Sequence, residues 1–388
     1  MKSNYEPLGK HIRLVDYRNS EEVTSTVLGI SIDKEFMPSV ANVIGTDLSR
    51  YKLISKGLFA CNPMHVGRDE RLPIALYEKD NAAIVSPAYF MFEIIDRDVL
   101  NEEYLMMWFR RPEFDRECWF MTDGSVRGGI SWDDLCRIQL PVPPYERQLD
   151  VVESYRAITR RIAMKKEIND NLEATAMSLY KSWFIDYEPF DLDDERLPVG
   201  WCKEKLNDKL STSTQSINPQ KMDCDFVWHY SIPAYDNEKL PSKDTPSSIL
   251  SNKYIVPQNA ILVSKLNPDT KRIWRSVPCF ENAICSTEFI VFSTKEPTHR
   301  AFYYLLFNTG SFIDFLVSNA TGSTNSRMRV KPASSLDFEF ICPPNEVIDS
   351  FCRKVEPLLQ KIEENHLEIR KLKELIPIAV AKMMSSSR

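Results

Sequence analysis

The chain has 388 residues and carries 49 Lys and Arg against 55 Asp and Glu, a formal net charge of -6. That length predicts two or three domains, each able to bury its own core. The acidic balance argues against a protein that grips nucleic acid unaided, while leaving room for local basic loops or for partners that supply phosphate contacts. No apolar run approaches the roughly 18 to 20 residues needed to span a bilayer, and the opening MKSNYEPLGK lacks the apolar core of a signal peptide, so a cytoplasmic location is expected. The 9 cysteines include no C-x-x-C pair, and His11, His65, His229, His299 and His366 are dispersed. That pattern predicts reduced thiols and no metal site.

Residues 1–142 read as a mixed α/β domain. Strands are expected at LGISI (28–32), YKLI (51–54), LPIAL (72–76), AAIVS (82–86) and YFMFEII (89–95), apolar runs separated by turn residues. NEEYLMMWFRRPEF (101–114) predicts a helix ending near Pro112. A glycine-rich loop, DGSVRGGISWDDL (123–135), and a short strand (137–143) complete the domain.

A long helix follows over 143–190, and then EPFDLDDERLPVGW (188–201), acidic and proline-punctuated, reads as a linker. From there the first half returns. YIVPQNAILVSKLNP (254–268) answers YKLISKGLFACNP (51–63), and ENAICSTEFIVF (281–292) answers NAAIVSPAYFMF (81–92). AFYYLLFN (301–308) answers EYLMMWF (103–109), TGSTNSRMRV (321–330) answers DGSVRGGI, and LDFEFICPP (336–344) answers LCRIQLPVPP (135–144). The displacement is about 200 residues, as from Pro143 to Pro343, so the chain is a tandem repeat of one globular head and one long helix. The predicted division is 1–142 head, 143–190 helix, 191–342 head and 343–388 helix, an α+β architecture.

In heptads the second helix places Ile348, Val355, Ile362, Ile369, Ile376 and Met383 at one core position and Phe351, Leu358, Asn365, Leu372 and Ala379 at the other. The first offers Tyr155, Ile162, Asn169, Ala176 and Trp183 alternating with Val151, Ile158, Lys165, Leu172 and Leu179. These are coiled-coil seams, each with a polar interruption of the kind that fixes register. Two separate amphipathic helices are the competing reading. Pro357 and Pro377 lack an N–H and predict a kink or a late start in the second helix. Paired antiparallel, helices of about 40 residues would form a rod of roughly 60 Å with a head at each end. Such a rod is a caliper for two DNA half-sites, whose equivalent grooves recur about every 34 Å.

Candidate contacts fall in two kinds of loop. CNPMHVGRDERLP (61–73) carries His65, Arg68 and Arg71, and its repeat SKLNPDTKRIW (264–274) carries Lys265, Asn267, Lys271 and Arg272. The glycine loop carries Arg127 in one head and Asn325, Arg327 and Arg329 in the other. Arginine suits both guanine edges and phosphate, so residue type alone does not assign readout, and each of these cations also fits a surface ion pair. In a strand Arg327 and Arg329 would point to opposite faces, one toward DNA and the other toward phosphate or a carboxylate. VPPY (142–145) superficially suits an amino-methyltransferase, but Val142 has no acceptor for the target amine and the repeat reads CPPN (342–345). No glycine-rich strand-to-helix turn suggests a nucleotide cofactor, and DLDDE (191–195) reads as solvated linker. A methyltransferase in its own right is therefore the lesser alternative, and a coiled-coil scaffold with protein-binding heads is another.

The residues support a resemblance. GISIDKEFMPSVANVIGTDLSRYKLI (29–54), IVSPAYFMFEI (84–94), EFDRECWF (113–120), SVRGGISWDD (125–134), LPVPPYERQ (140–148), LYKSWFIDYEPF (179–190) and LPVGW (197–201) resemble the specificity subunits of type I restriction-modification systems. The resemblance covers nearly the whole chain, although NEVIDSF (345–351) lacks the E-x-Q of the first spacer. It implies two target recognition domains joined by two helical spacers that form an antiparallel coiled coil. It further implies a non-catalytic subunit that reads a bipartite, asymmetric DNA target and docks two methyltransferase subunits and, through them, restriction subunits. S-adenosylmethionine, ATP and Mg would then belong to those partners, with no cofactor in this chain. Leu179, Tyr180, Trp183 and Phe184 are more large apolar groups than one seam needs, and both docking of a partner and packing onto the neighbouring head explain the surplus.

Overall fold

The computed structural model describes residues 5–39, 45–64, 66–122, 128–190, 197–277, 280–322 and 328–385. It divides into two compact units, Met1–Arg161 with Leu372–Arg388, and Ile162–Lys371. Each unit holds one head and a stretch of both long helices.

The first head is built on two four-stranded sheets. One runs Ile12–Leu14, Phe90–Ile94, Phe59–Cys61, Ile74–Leu76, and the other Phe36–Pro38, Val27–Ile30, Ala83–Val85, Lys52–Ile54. In the second head the order Leu210–Ser213, Phe289–Thr294, Ile261–Ser264, Ile273–Arg275 reproduces the first sheet. A five-stranded sheet reproduces the other, down to a parallel pairing of Val227–Tyr230 with Ala283–Cys285 that matches Val27–Ile30 with Ala83–Val85. The repeat read from the sequence is thus a repeat of strand order and polarity. Central strands such as Phe59–Cys61 and Ile261–Ser264 are buried along their whole length, which is why they read as continuous apolar runs.

Each head is also closed by its own ends. Tyr5–Pro7 pairs antiparallel with Gln139–Pro141, and Cys202–Lys205 with Glu339–Cys342. Chain entering a head therefore lies beside chain leaving it. The helix expected over 101–114 is two helices, Glu102–Phe109 and Pro112–Phe120. Pro112 opens the second rather than ending the first, because the first helical position has no intrahelical use for an N–H. The glycine-rich stretch contains a short helix, Trp132–Arg137, whose Ser131 side chain accepts from the Asp134 N–H at 3.1 Å.

The long helices are Tyr145–Phe184 and Asn345–Ser385. The second runs unbroken through Pro357 and Pro377, contrary to the late start expected from the sequence. Both prolines are exposed, so water can satisfy the carbonyl each leaves without a partner. Within the second unit the helices are antiparallel: Phe351 meets Tyr180 and Phe184, whereas Asn365 meets Lys165 and Asn169. Ile162, Val355, Ile362 and Ile369 are buried in the seam, while Leu172, Leu179 and Leu358 are half-buried and Leu359 takes the deeper place beside Leu358. Ile158, Leu372 and Ile376 of the first unit are half-buried, with Ile376 packed against the cluster that holds Val151 and Val152. The polar interruptions find one another. Asn365 Nδ2 donates to Asn169 Oδ1 at 2.8 Å, Lys165 Nζ donates to Asn365 Oδ1 at 3.0 Å, and Lys165 pairs with Glu368 at 2.6 Å.

Gln148, the last residue of the E-x-Q phrase, is fully buried. It accepts from the Asn101 N–H at 2.9 Å and donates to the carbonyls of Val99 and Pro143, each at 2.9 Å. At about 0.5 to 1.5 kcal/mol per bond this fastens the head to the helix entrance. The repeat has Ile348 there, equally buried. The missing phrase in the second spacer is therefore an exchange of a polar clamp for an apolar one inside the fold.

Candidate nucleic-acid interface

The two kinds of loop picked out by residue type are joined to each other in both heads. In the first, the Gly67 N–H donates to the Gly128 carbonyl at 3.0 Å and the Ile130 N–H to the Pro63 carbonyl at 3.1 Å. In the second, the Asn267 N–H donates to the Met328 carbonyl at 2.8 Å and the Val330 N–H to the Lys265 carbonyl at 3.0 Å. Leu266 and Thr321 both bridge to Arg329, extending the junction. Gly129 belongs to the close approach: a Cβ there would stand 2.8 Å from the Pro63 carbonyl oxygen. Asn267 supplies a left-handed turn with φ 47°, a conformation asparagine tolerates better than most residues.

The first loop is held from below by a pair that residue pattern did not announce. Lys34 and Asp115 are buried and 2.6 Å apart, and both reach Leu72 at the loop's end: Lys34 Nζ donates to its carbonyl at 3.1 Å, and Asp115 accepts from its N–H at 3.1 Å. Burial pushes the Lys34 ammonium below its ordinary range, an effect the Asp115 charge partly opposes. The partners lie far apart in sequence, so no local motif could have shown them.

The candidate cations divide. Arg68 lies in the short helix Val66–Asp69 and is exposed, donating to its neighbour Asp69 at 2.6 and 2.8 Å. Arg71 is exposed, 3.3 Å from Asp33. Lys271 is exposed and Lys265 half-buried. Arg329 is exposed and faces Glu288 at 3.0 Å, a carboxylate whose hydrogen bond raises its guanidinium above the usual range. Arg272 is different: its side chain is only 15% exposed, and both arms are taken by Asp236 at 2.6 and 2.9 Å. A guanidinium so occupied ties down the helix Ile232–Glu238 and has fewer donors left for a groove than the exposed cations have. His65, Arg127, Asn325 and Arg327 lie outside the described residues.

The apolar surplus at the end of the first long helix also resolves. Tyr180 and Phe184 are buried in the second unit's core, where Phe184 stacks edge-on against Phe351 at 4.7 Å and Phe302 at 4.9 Å. Leu179 and Trp183 pack partly buried against the same cluster. Packing on the neighbouring head accounts for the two buried rings, while Leu179 and Trp183 keep part of their surface exposed. Val142 is half-buried against the first unit's core. Among the described residues, no helix is long and apolar enough to cross a membrane.

No protein-family model matches the chain. It is similar to the type I restriction enzyme MjaIX specificity subunit of Methanocaldococcus jannaschii, 23% identical over 75% of this chain and 70% of that protein. It is also similar to the type I restriction enzyme HindI specificity subunit of Haemophilus influenzae, 20% identical over 96% of both chains. In fold it is similar to a solved type I restriction-modification S subunit from M. genitalium, with a TM-score of 0.56 and 12% identity over 99% of this chain and 96% of that one.

Proposed function

We propose, from this likeness to type I specificity subunits along almost the whole chain, that the protein is the non-catalytic, DNA-reading subunit of such a system. The observation that carries the reading is the recurrence of one backbone-joined loop pair at the same place in two heads of different sequence. One scaffold carrying two sets of side chains suits a target with two different halves. Among the described candidate cations, Arg68, Arg71, Lys271 and Arg329 are exposed enough to meet phosphate or base edges, Arg329 while facing Glu288. The net charge of -6 fits a subunit whose partners share the phosphate contacts. Those partners are two methyltransferase subunits and, through them, restriction subunits, which would bring S-adenosylmethionine, ATP and Mg. Val142, lacking an acceptor where an amino-methyltransferase needs one, supports the reading that the chemistry belongs to the partners.

The test is a head exchange. Residues 1–142 are replaced by the corresponding head of another type I specificity subunit, and the methylome of a host carrying the chimera with its methyltransferase is sequenced. The expected result is a change in one half of the methylated sequence and retention of the other. A change in both halves, or in neither, refutes the two-head reading.

A further inference from the structure

The helix Pro112–Phe120 leads into the glycine loop and packs beside the short helix of the first loop, and its last residue is out of keeping with its surroundings. Phe120 is 85% exposed, the most exposed aromatic among the described residues, and Trp119 beside it is 44% exposed. Leaving a phenylalanine in water forgoes the stabilisation its burial would give. Its helix has an apolar side that is well used: Phe114 and Cys118 lie in the first head's core. Phe120 is thus surplus to the core.

The repeat supplies the comparison. The equivalent helix, Gly310–Ser318, also has nine residues and buries Phe312 where the first buries Phe114. In that register Val317 answers Trp119, and Ser318, exposed, answers Phe120. The packing side of the helix is retained between heads while its exposed end changes from aromatic to hydroxyl. A residue needed for the fold would be expected in both, whereas one that reads would differ. The neighbouring surface is cationic in part: Arg116, one turn earlier on the same face, is exposed with a single long contact to Glu113 at 3.5 Å, and Met64 of the first loop is also exposed.

Resting on the proposed DNA-reading function, we propose that Phe120 is a specificity-determining residue of the first head that makes an apolar contact with a base of its half-site. Two base features offer that chemistry, a thymine methyl group in the major groove and an opened base step. Such a contact involves no phosphate, so its formation releases no counterion and its loss leaves the salt slope unchanged.

The experiment uses the full chain assembled with its methyltransferase subunits and a duplex bearing the sequence that methylome sequencing shows to be modified, beside a scrambled duplex, across a salt series. Phe120→Ser, which installs the second head's residue, is expected to weaken binding to the specific duplex about tenfold, to leave the scrambled duplex unaffected and to preserve the salt slope. Phe120→Leu should recover part of the loss. Uracil in place of thymine in the first half-site should abolish the difference between wild type and Phe120→Ser if the methyl is the contact; 2-aminopurine fluorescence rising only with wild type marks the opened step. Equal affinity of wild type and variant for the specific duplex overturns the inference, as does an equal loss on both duplexes with a shallower slope. Failure of Phe120→Ser to assemble with the methyltransferase also overturns it, assigning the ring to a protein contact. Failure of the wild-type complex to distinguish the duplexes would instead refute the DNA-reading function itself.

Discussion

Asn169 and Asn365 offer the sharpest quantitative test of the helix pair. Both are buried, at 4% and 1% exposure, and joined by a single 2.8 Å hydrogen bond. Replacing Asn365 by leucine strands the Asn169 side-chain oxygen, and replacing Asn169 strands the Asn365 NH2 group; each stranded group costs about 1 to 3 kcal/mol. Leucine contributes apolar burial in every variant, so this cancels in a double-mutant cycle. The double variant strands neither amide, and Lys165 keeps Glu368 at 2.6 Å. The double variant should therefore exceed the sum of the singles by about 2 kcal/mol or more in the stabilising direction. Amide hydrogen exchange across 162–172 and 362–371 reads the local opening free energy, where about 2 kcal/mol is roughly thirtyfold in protection. Additivity within about 0.5 kcal/mol would show that the pair is not coupled and that the polar seam does not act as a unit.

Other outcomes follow from the same structure. His366 is half-buried with its imidazole held below the ordinary range, first by loss of solvent and then by Lys239, with Arg370 adding to the effect and Glu173 and Glu238 opposing it. The unfolded chain then takes up the proton first, so stability from this group is present above about pH 6.5 and is lost as pH falls through the lower folded value; His366→Leu should flatten that part of a Tm-against-pH profile. Arg68→Ala should reduce the salt slope of DNA binding by about 1, whereas Arg272→Ala should leave the slope alone and lower thermal stability, because its guanidinium serves Asp236. Deleting one heptad from each long helix should keep the seam and the fold but change the gap between methylated half-sites; an unchanged gap would show that the helices do not set it.

The repeat was legible because it is written in local chemistry: paired prolines at Pro143 and Pro343, apolar runs bounded by turns, and a seam whose polar residues fall near its middle. Periodicity records which side of an element is buried, and the long helices Tyr145–Phe184 and Asn345–Ser385 start close to the expected 143 and 343, while the first stops short of the expected 190. What stayed hidden was partner choice. Arg272 reads the same whether it faces a phosphate or Asp236, and Arg329 the same whether it faces a base or Glu288, since tertiary folding alone brings those carboxylates near. Prolines misled in both directions. Pro112 signalled an end where it makes a beginning, and Pro357 a break where an exposed carbonyl costs little.

The junction between the two loops is held by main-chain atoms, and this bears on how such a protein could change what it reads. A frame fastened by Gly67 to Gly128 and by Asn267 to Met328 through amide and carbonyl alone makes no demand on the side chains it displays. Substitution on the rim can proceed one residue at a time, each intermediate keeping its loops in place, with Gly129 as the position where any side chain would collide with the frame. New target sequences then become accessible by small steps that leave the architecture intact. In the two heads of this chain the same frame already presents different residues.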